Sequence, residues 1–506
     1  MLKIIFLLSL ISLSLCDVPC PTASITASGQ WPAGATDMVL LPAGYTCQQA
    51  FIIPDGYIVK ISVNSSFPVS QTGDSLEILD QAGKRYQFIS GIGDYVIIPA
   101  RKAGMTVRTI TDRARFLVKY EFINVKTYQS IPKTTGQFWQ LNFPHNSYYT
   151  ITSTDNDMIT LTTAAELSAD PTTNSIFVYD GPDINSNYLG DLKSFSSYPP
   201  MSRSSSNQLT IVNFYQVYEG INTTTWVVAN DFKKIAKYNS YQLFITKSLH
   251  SYLDTVQDFT SRYTAHTVIC IDCLENHIES ITFKDGGGVA QVVEVHPMTP
   301  TQDLGAMISY SDSTFTGNSL PQKISANVFT IVYKTANVVV KFTPKLDSWT
   351  QPRSNRIVEI YSPTMWNPTS QGIFSLGLQS TAAYNFNIQV NNVTIMDTNG
   401  KLHLEISNGG AMVQQDVTCD KNMATCTKTV VPKLVGKGQV ATVSYNGVSS
   451  QSTSWTTITM VNDPNATVPP ITTVSTVTQP RYESTTKLGM RQMFYVTLIF
   501  FGWNLL

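Results

Sequence analysis

The segment His266-x3-Cys270-x2-Cys273-x3-His277 gathers the densest potential chemistry in the chain, two thiols and two imidazoles at symmetrical spacing. Two sulfurs and two ring nitrogens make a tetrahedral zinc set, and a Cys-x-x-Cys pair also suits thiol exchange. The intervening Thr267, Val268, Ile269 and Ile271 read as a strand, which sends successive side chains to opposite faces and breaks up a four-ligand cluster. A structural disulfide between Cys270 and Cys273 is the favoured reading. Elsewhere the chain has no His-Glu-x-x-His, no Gly-x-Ser-x-Gly and no Gly-x4-Gly-Lys-Ser/Thr. Its 6 histidines are scattered, so a nucleophile triad would have to be assembled across modules. The run Asp285-Gly-Gly-Gly288 lacks the lysine and helix of a phosphate loop and reads as a tight hairpin. The expectation is a non-enzymatic protein, with a secreted hydrolase using two distant carboxylates as the weaker alternative.

The elements that would carry these residues are strands. Charged residues make up 14 % of the 506, against about 25 % in an ordinary globular protein. Runs such as Tyr57-Ile-Val-Lys-Ile-Ser-Val63, Phe116-Leu-Val-Lys-Tyr-Glu-Phe122 and Gln208-Leu-Thr-Ile-Val-Asn-Phe214 alternate or cluster apolar residues between turn pairs such as Asp180-Gly181, Asn399-Gly400 and Asn446-Gly447. With Lys+Arg 34 against Asp+Glu 35, there is no basic field for a phosphate backbone, and nucleic acid is not an expected partner.

Internal echoes suggest repetition. Asp74-Ser-Leu-Glu-Ile-Leu-Asp80 returns as Asn174-Ser-Ile-Phe-Val-Tyr-Asp180 and as Glu279-Ser-Ile-Thr-Phe-Lys-Asp285, with a weaker fourth copy at Asn355-Arg-Ile-Val-Glu-Ile-Tyr361. The reading is an all-β chain of tandem antiparallel, jelly-roll-like β-sandwiches, each closed around its own apolar filling. Modules are expected at 17–125, 126–247, 248–345 and 346–462, followed by a Thr/Ser/Pro linker at 463–486.

Both ends read as targeting signals. Lys3 precedes an apolar run from Ile4 to Leu15, with small residues Ser14 and Cys16 ahead of Asp17, so residues 1–16 are expected to be a cleaved signal peptide. Residues 487–506 end in an apolar stretch from Met493 that is too short to span as a helix. Small residues Ser484, Thr485 and Thr486 stand upstream, the arrangement of a GPI attachment signal with lipid on Ser484. The expected location is the outer face of the plasma membrane, including membrane rafts, or the extracellular medium. Asn64, Asn222, Asn392 and Asn465 each stand in an Asn-x-Ser/Thr glycosylation sequence. Loss of Cys16 with the signal leaves six cysteines. Of the possible pairings, spacing favours Cys20 with Cys47, Cys270 with Cys273, and Cys419 with Cys426.

The strand and loop running from Asp180-Gly181-Pro182 to Leu189-Gly190, followed by Ser205-Ser-Asn-Gln-Leu-Thr-Ile211 and Tyr241-Gln-Leu-Phe-Ile245, resemble those of a CUB domain. The first module, with Cys20, Trp31-Pro32, Pro42-Ala-Gly-Tyr-Thr-Cys47 and Pro54-Asp-Gly-Tyr57, resembles the divergent CUB-like domains of nematode secreted and surface proteins. The resemblance implies a sandwich used for binding a protein, glycan or microbial ligand, and a tie to innate immune defence. It also implies calcium held by an acidic trio. Carried onto this sequence, Asp74 matches one acid and Asp112 is a candidate for a second, while Asn174 stands at the corresponding position of the second module. Aromatic and amide loops at Tyr148-Tyr149 and Asn185-Ser-Asn-Tyr188 are candidate contact surfaces, with edge packing as the competing reading. A structural coat or adhesion component with no specific ligand is the alternative function.

Overall fold

The computed structural model describes residues 18–68, 73–165, 171–197, 202–215, 224–258, 263–420 and 423–462. The chain is mostly strand, arranged in several antiparallel sheets. It divides into two compact units, 1–161 with 169–232, and 162–168 with 233–506.

The first unit opens with two facing sheets. One runs Gly29–Trp31, Arg115–Asn124, Tyr57–Ser66, Ser90–Ile98, with Val39–Leu40 also paired to Arg115–Asn124. The other runs Thr46–Ile52, Lys102–Arg108, Ser75–Asp80, Arg85–Phe88. Alternation dictates the layers: in Thr46–Ile52 every second residue is buried, so one face of the pleat is apolar and the other meets water. The Cys20–Cys47 disulfide ties the entering segment to this sheet.

The second pair of sheets consists of Gln129–Thr134, Ser147–Thr152, Gln208–Asn213, Ile176–Asp180, Asn187–Asp191, and of Phe138–Gln140, Thr225–Asp231, Ile159–Ala165. Gln129–Thr134 runs parallel to Ser147–Thr152, while the other neighbours in that five-stranded sheet pair antiparallel. The strand Ile176–Asp180 is buried on both faces. Ile176 and Val178 join the core of this sandwich with Trp139, Leu141 and Ile211. Phe177 and Tyr179 belong instead to one continuous apolar cluster with Ile97, Ile98, Ala100 and Phe116 of the first sandwich. The expectation that each module closes around its own filling is corrected here. A strand without polar residues on alternate positions has two apolar faces to cover, and the first sandwich covers the second face.

In the second unit, Tyr238–Thr246, Tyr263–Cys270, Val328–Lys334, Val292–Pro297, Ile308–Ser311 face Tyr252–Asp258, Ala336–Thr343, Asn276–Phe283, Gln322–Ile324. The connectivity repeats that of the second sandwich strand for strand, including the parallel opening pair, with Gln322–Ile324 added. The echoed heptads do not mark this repetition. Ser75–Asp80 and Asn276–Phe283 each lie in the four-stranded sheet of their sandwich, whereas Ile176–Asp180 lies in the five-stranded sheet.

The last module differs from a two-sheet sandwich. Its strands form one seven-stranded sheet, Ile357–Tyr361, Thr453–Asn462, Phe374–Ile395, Leu434–Tyr445, Leu402–Asn408, Ala411–Val417, with Cys426–Lys428 beside Phe374–Ile395. The 22-residue strand Phe374–Ile395 changes register between Gln379 and Tyr384 and between Val390 and Asn392, and such irregularities bend a strand. Tyr361 and Trp366 pack into the core of the preceding sandwich, so these two modules are also continuous.

Candidate functional site

The seam between the first two sandwiches encloses a cleft of about 290 Å³. One wall comes from the Pro54-Asp-Gly-Tyr57 turn, Gln81 and residues 99–101; the other comes from Tyr179 and the 184–188 loop. Gly56 has φ +76°, and a Cβ there would meet the Lys126 side chain, so glycine is required for this turn. Its N–H donates to the Asn185 side-chain oxygen at 2.7 Å, which links the two walls directly.

Further bonds fix the geometry. The Tyr179 hydroxyl donates to the Pro99 carbonyl at 2.8 Å, and Arg101 donates to the Asn185 carbonyl at 2.7 Å. Arg101 also lies 3.2 Å from Asp55. Behind the cleft, Lys84 pairs with Asp191 at 2.7 Å, and Asp191 also caps the helix Leu192–Ser196 by accepting from Ser194 N–H at 2.8 Å. The Tyr188 hydroxyl donates to Asp80 at 3.3 Å. Burial raises the Asp80 carboxyl above its ordinary range, against the opposing pull of the Lys84 N–H and the Tyr188 hydroxyl. Burial likewise raises Tyr179 and Tyr188, so both phenols stay protonated near neutral pH. The 184–188 loop is ordered from within: Asp183 accepts from Asn185 N–H and Ser186 Oγ at 2.8 and 3.2 Å.

The other sequence candidates are placed as follows. Asp74 is buried, and its carboxylate accepts from the Ile110 and Thr111 N–H groups and the Thr111 hydroxyl. Asp112 is exposed on the turn just beyond. Among the described residues, no three His, Cys, Asp or Glu side chains converge as a metal site. Asn174 lies in the short 3-10 turn Pro171–Ser175. Disulfides join Cys270 to Cys273 and Cys419 to Cys426. His266 is buried against Asp254 at 2.6 Å, and His277 packs 6.3 Å from Trp349, so each imidazole has its own surroundings. Tyr149 is a core residue against Trp139 and Phe143, whereas Asn185, Ser186, Asn187 and Tyr188 line the cleft. Asn64 lies in the strand Tyr57–Ser66 with its side-chain oxygen accepting from Gly93 N–H, and Asn392 lies in Phe374–Ile395. Residues 1–16, Asn222, Asn465 and Ser484 are outside the described residues.

Sequence reasoning missed Gln81 and Arg101, which belong to no motif and reach the cleft only through tertiary packing. The unbroken Ile176-Phe-Val-Tyr179 run was the available signal of a second buried face.

Comparison with known proteins places residues 17–126 under the family model of the CUB-like domain. Among solved structures, the chain is similar to the CUB1-EGF-CUB2 domain of human MASP-1/3, at 11 % identity over 62 % of this chain and 98 % of that chain, with a TM-score of 0.17. It is similar to the corresponding domains of rat MASP-1, at 10 % identity over 63 % and 99 %, with a TM-score of 0.18. A third similarity is to the full extracellular region of zebrafish Gpr126/Adgrg6, at 9 % identity over 65 % and 53 %, with a TM-score of 0.17. None of the curated proteins matches the sequence. Residues 17–126 of this chain are a CUB-like domain, and its apolar core continues into the sandwich that follows.

Proposed function

We propose that the protein is a secreted, non-catalytic binding protein, held at the outer cell surface by a GPI lipid and presenting its first two sandwiches to an extracellular ligand. CUB-like domains are typically extracellular and serve in binding or adhesion. The observation that carries the reading is the seam, where a CUB-like domain and its neighbour are held together by a common core and frame a cleft with an accessible amide-rich rim. In this reading residues 1–16 direct secretion, Ser484 receives the lipid and Asn64, Asn222, Asn392 and Asn465 carry glycans. The ligand is a protein, a glycan or a microbial surface, and a part in innate defence follows from the resemblance of the first module.

The test is to display the full chain on cells and treat them with phosphatidylinositol-specific phospholipase. Release into the medium supports the anchor, and retention on the cells counts against it. Saturable binding of the released protein to intact microbes or host cells supports the binding role, whereas non-saturating adsorption to every surface favours a structural coat component.

A further inference from the structure

We propose that the seam cleft binds a neutral carbohydrate residue, which deepens the binding-protein reading and rests on it. Charge supplies the first argument. Among the described residues, the charged side chains lining the cleft are Asp55 and Arg101, and they face each other at 3.2 Å. An ionic ligand would have to compete with that pair, while a neutral one leaves it in place. Lys126 is held against the Tyr57 ring, its amino group 5.2 Å from the ring centroid, and does not line the cleft.

Hydrogen-bonding capacity is the second argument. The Asn185 side-chain oxygen and the Tyr179 hydroxyl are committed to bonds that close the seam, and the Ser186 hydroxyl to Asp183 within its own loop. By contrast, the Tyr57 hydroxyl, the Gln81 amide and the Asn187 amide meet no hydrogen-bond partner among the described residues, and all three line the same space. Amides and a phenol donate and accept at once, as the adjacent hydroxyls of a sugar require. Pro54 and the half-buried Tyr57 ring add apolar surface for the C–H face of a pyranose. A cleft of about 290 Å³ sits at the lower limit for small-ligand pockets, which suits one or two sugar units better than a folded epitope.

The main competitor, an extended peptide, would need an open strand edge. Asn187–Asp191 ends its sheet among the described residues, and side chains of the turn at 81–84 pack against it. Ala82 Cβ lies 3.9 Å from where a Cβ on Gly190 would be, and Lys84 holds Asp191. A peptide added there would have to fit beside the Ala82 and Lys84 side chains, and the peptide arm of the experiment below decides between the two ligands.

The experiment titrates the full chain with the methyl glycosides of mannose, galactose, glucose, fucose and N-acetylglucosamine, read by saturation-transfer NMR. A combinatorial peptide library forms a second arm. Asn187→Ala, Gln81→Ala and Tyr57→Phe test the cleft; Gln414→Ala, on the exposed face of Ala411–Val417, is the control. The expected result is saturable binding of at least one glycoside, weakened about ten-fold by each cleft substitution, the equivalent of one lost hydrogen bond, and unchanged by the control. Saturation by no glycoside, or affinities that ignore all three substitutions, overturns the proposal, as does a peptide whose binding is lost in Asn187→Ala. If cells or microbes still bind saturably while no glycoside does, the carbohydrate site falls and the binding-protein reading stands.

Discussion

His277 should make the third sandwich sensitive to mild acid. It lies on Asn276–Phe283 with 1 % of its surface exposed, packed beside Trp349. Neither ring nitrogen makes a well-aligned hydrogen bond among the described residues. Burial pushes its pKa down to about 4, Lys323 adds to the shift, and Glu275 with the Thr343 and Pro344 backbone pulls the other way. The unfolded chain titrates near 6.5, so between about pH 6.5 and about pH 4 it takes up a proton that the folded state refuses. Stability is complete above that window, falls as the pH drops through it, and levels off below. At about pH 5 linkage gives a loss of about 2 kcal/mol relative to neutral pH. His277→Phe keeps a ring against Trp349 and removes the proton. Hydrogen exchange of the peptide carrying Asn276–Phe283, at about pH 7.5 and about pH 5 after correction for the intrinsic rate, reads the local opening free energy in both proteins. The wild type should lose about 2 kcal/mol more than the variant; equal losses refute the argument.

Lys84→Met should destabilise the first unit by about 2 kcal/mol in urea unfolding, because it leaves the 3 %-exposed Asp191 carboxylate without its cation. Removing Cys20–Cys47, which closes 27 residues of separation, should cost about 1 kcal/mol more than removing Cys419–Cys426, which closes 7, on the loop-entropy model. Each disulfide variant is compared with the parent by thermal melting. Arg356→Met should cost about 2 kcal/mol, read by hydrogen exchange across residues 351–361. The buried guanidinium donates to the Gln351 and Pro321 carbonyls, and burial, assisted by Arg353, has lowered its pKa to about 10.

The β character was legible because it is local: alternation and Asn-Gly or Asp-Gly turns need only a few neighbouring residues. The repetition was less so. The heptads at 74–80 and 174–180 look alike, yet Leu76 and Ile78 alternate with Ser75, Glu77 and Leu79, which are half-exposed or exposed, whereas Phe177 and Val178 are both buried. The first strand has one wet face and the second has none, so similar spellings occupy different sheets. The shared connectivity of the second and third sandwiches is a property of backbone pairing, which sequence constrains only through turn lengths and which side faces inward. The cleft was legible by half. Its amide loop stood out by residue type, while Gln81 and Arg101 depend on how two sandwiches meet, a long-range relation that one sequence does not display.

The shared core changes how the first unit should respond to damage. In a string of independent beads, truncating a side chain in the second bead weakens that bead alone. Phe177 projects from the second sandwich but lies in the cluster of the first, packing on Phe214 and Tyr188 with ring centroids 5.8 and 6.2 Å away. Phe177→Ala should therefore cost about 3 to 5 kcal/mol and raise hydrogen exchange together in Ser90–Ile98 of the first sandwich and Gln208–Asn213 of the second. Val178→Ala, one residue along on the opposite face, should affect Gln208–Asn213 and spare Ser90–Ile98. If Phe177→Ala left Ser90–Ile98 as protected as in the parent, the seam would be a contact rather than a core. The cleft would then have to be ordered by its ligand, at the expense of affinity, instead of standing ready for it.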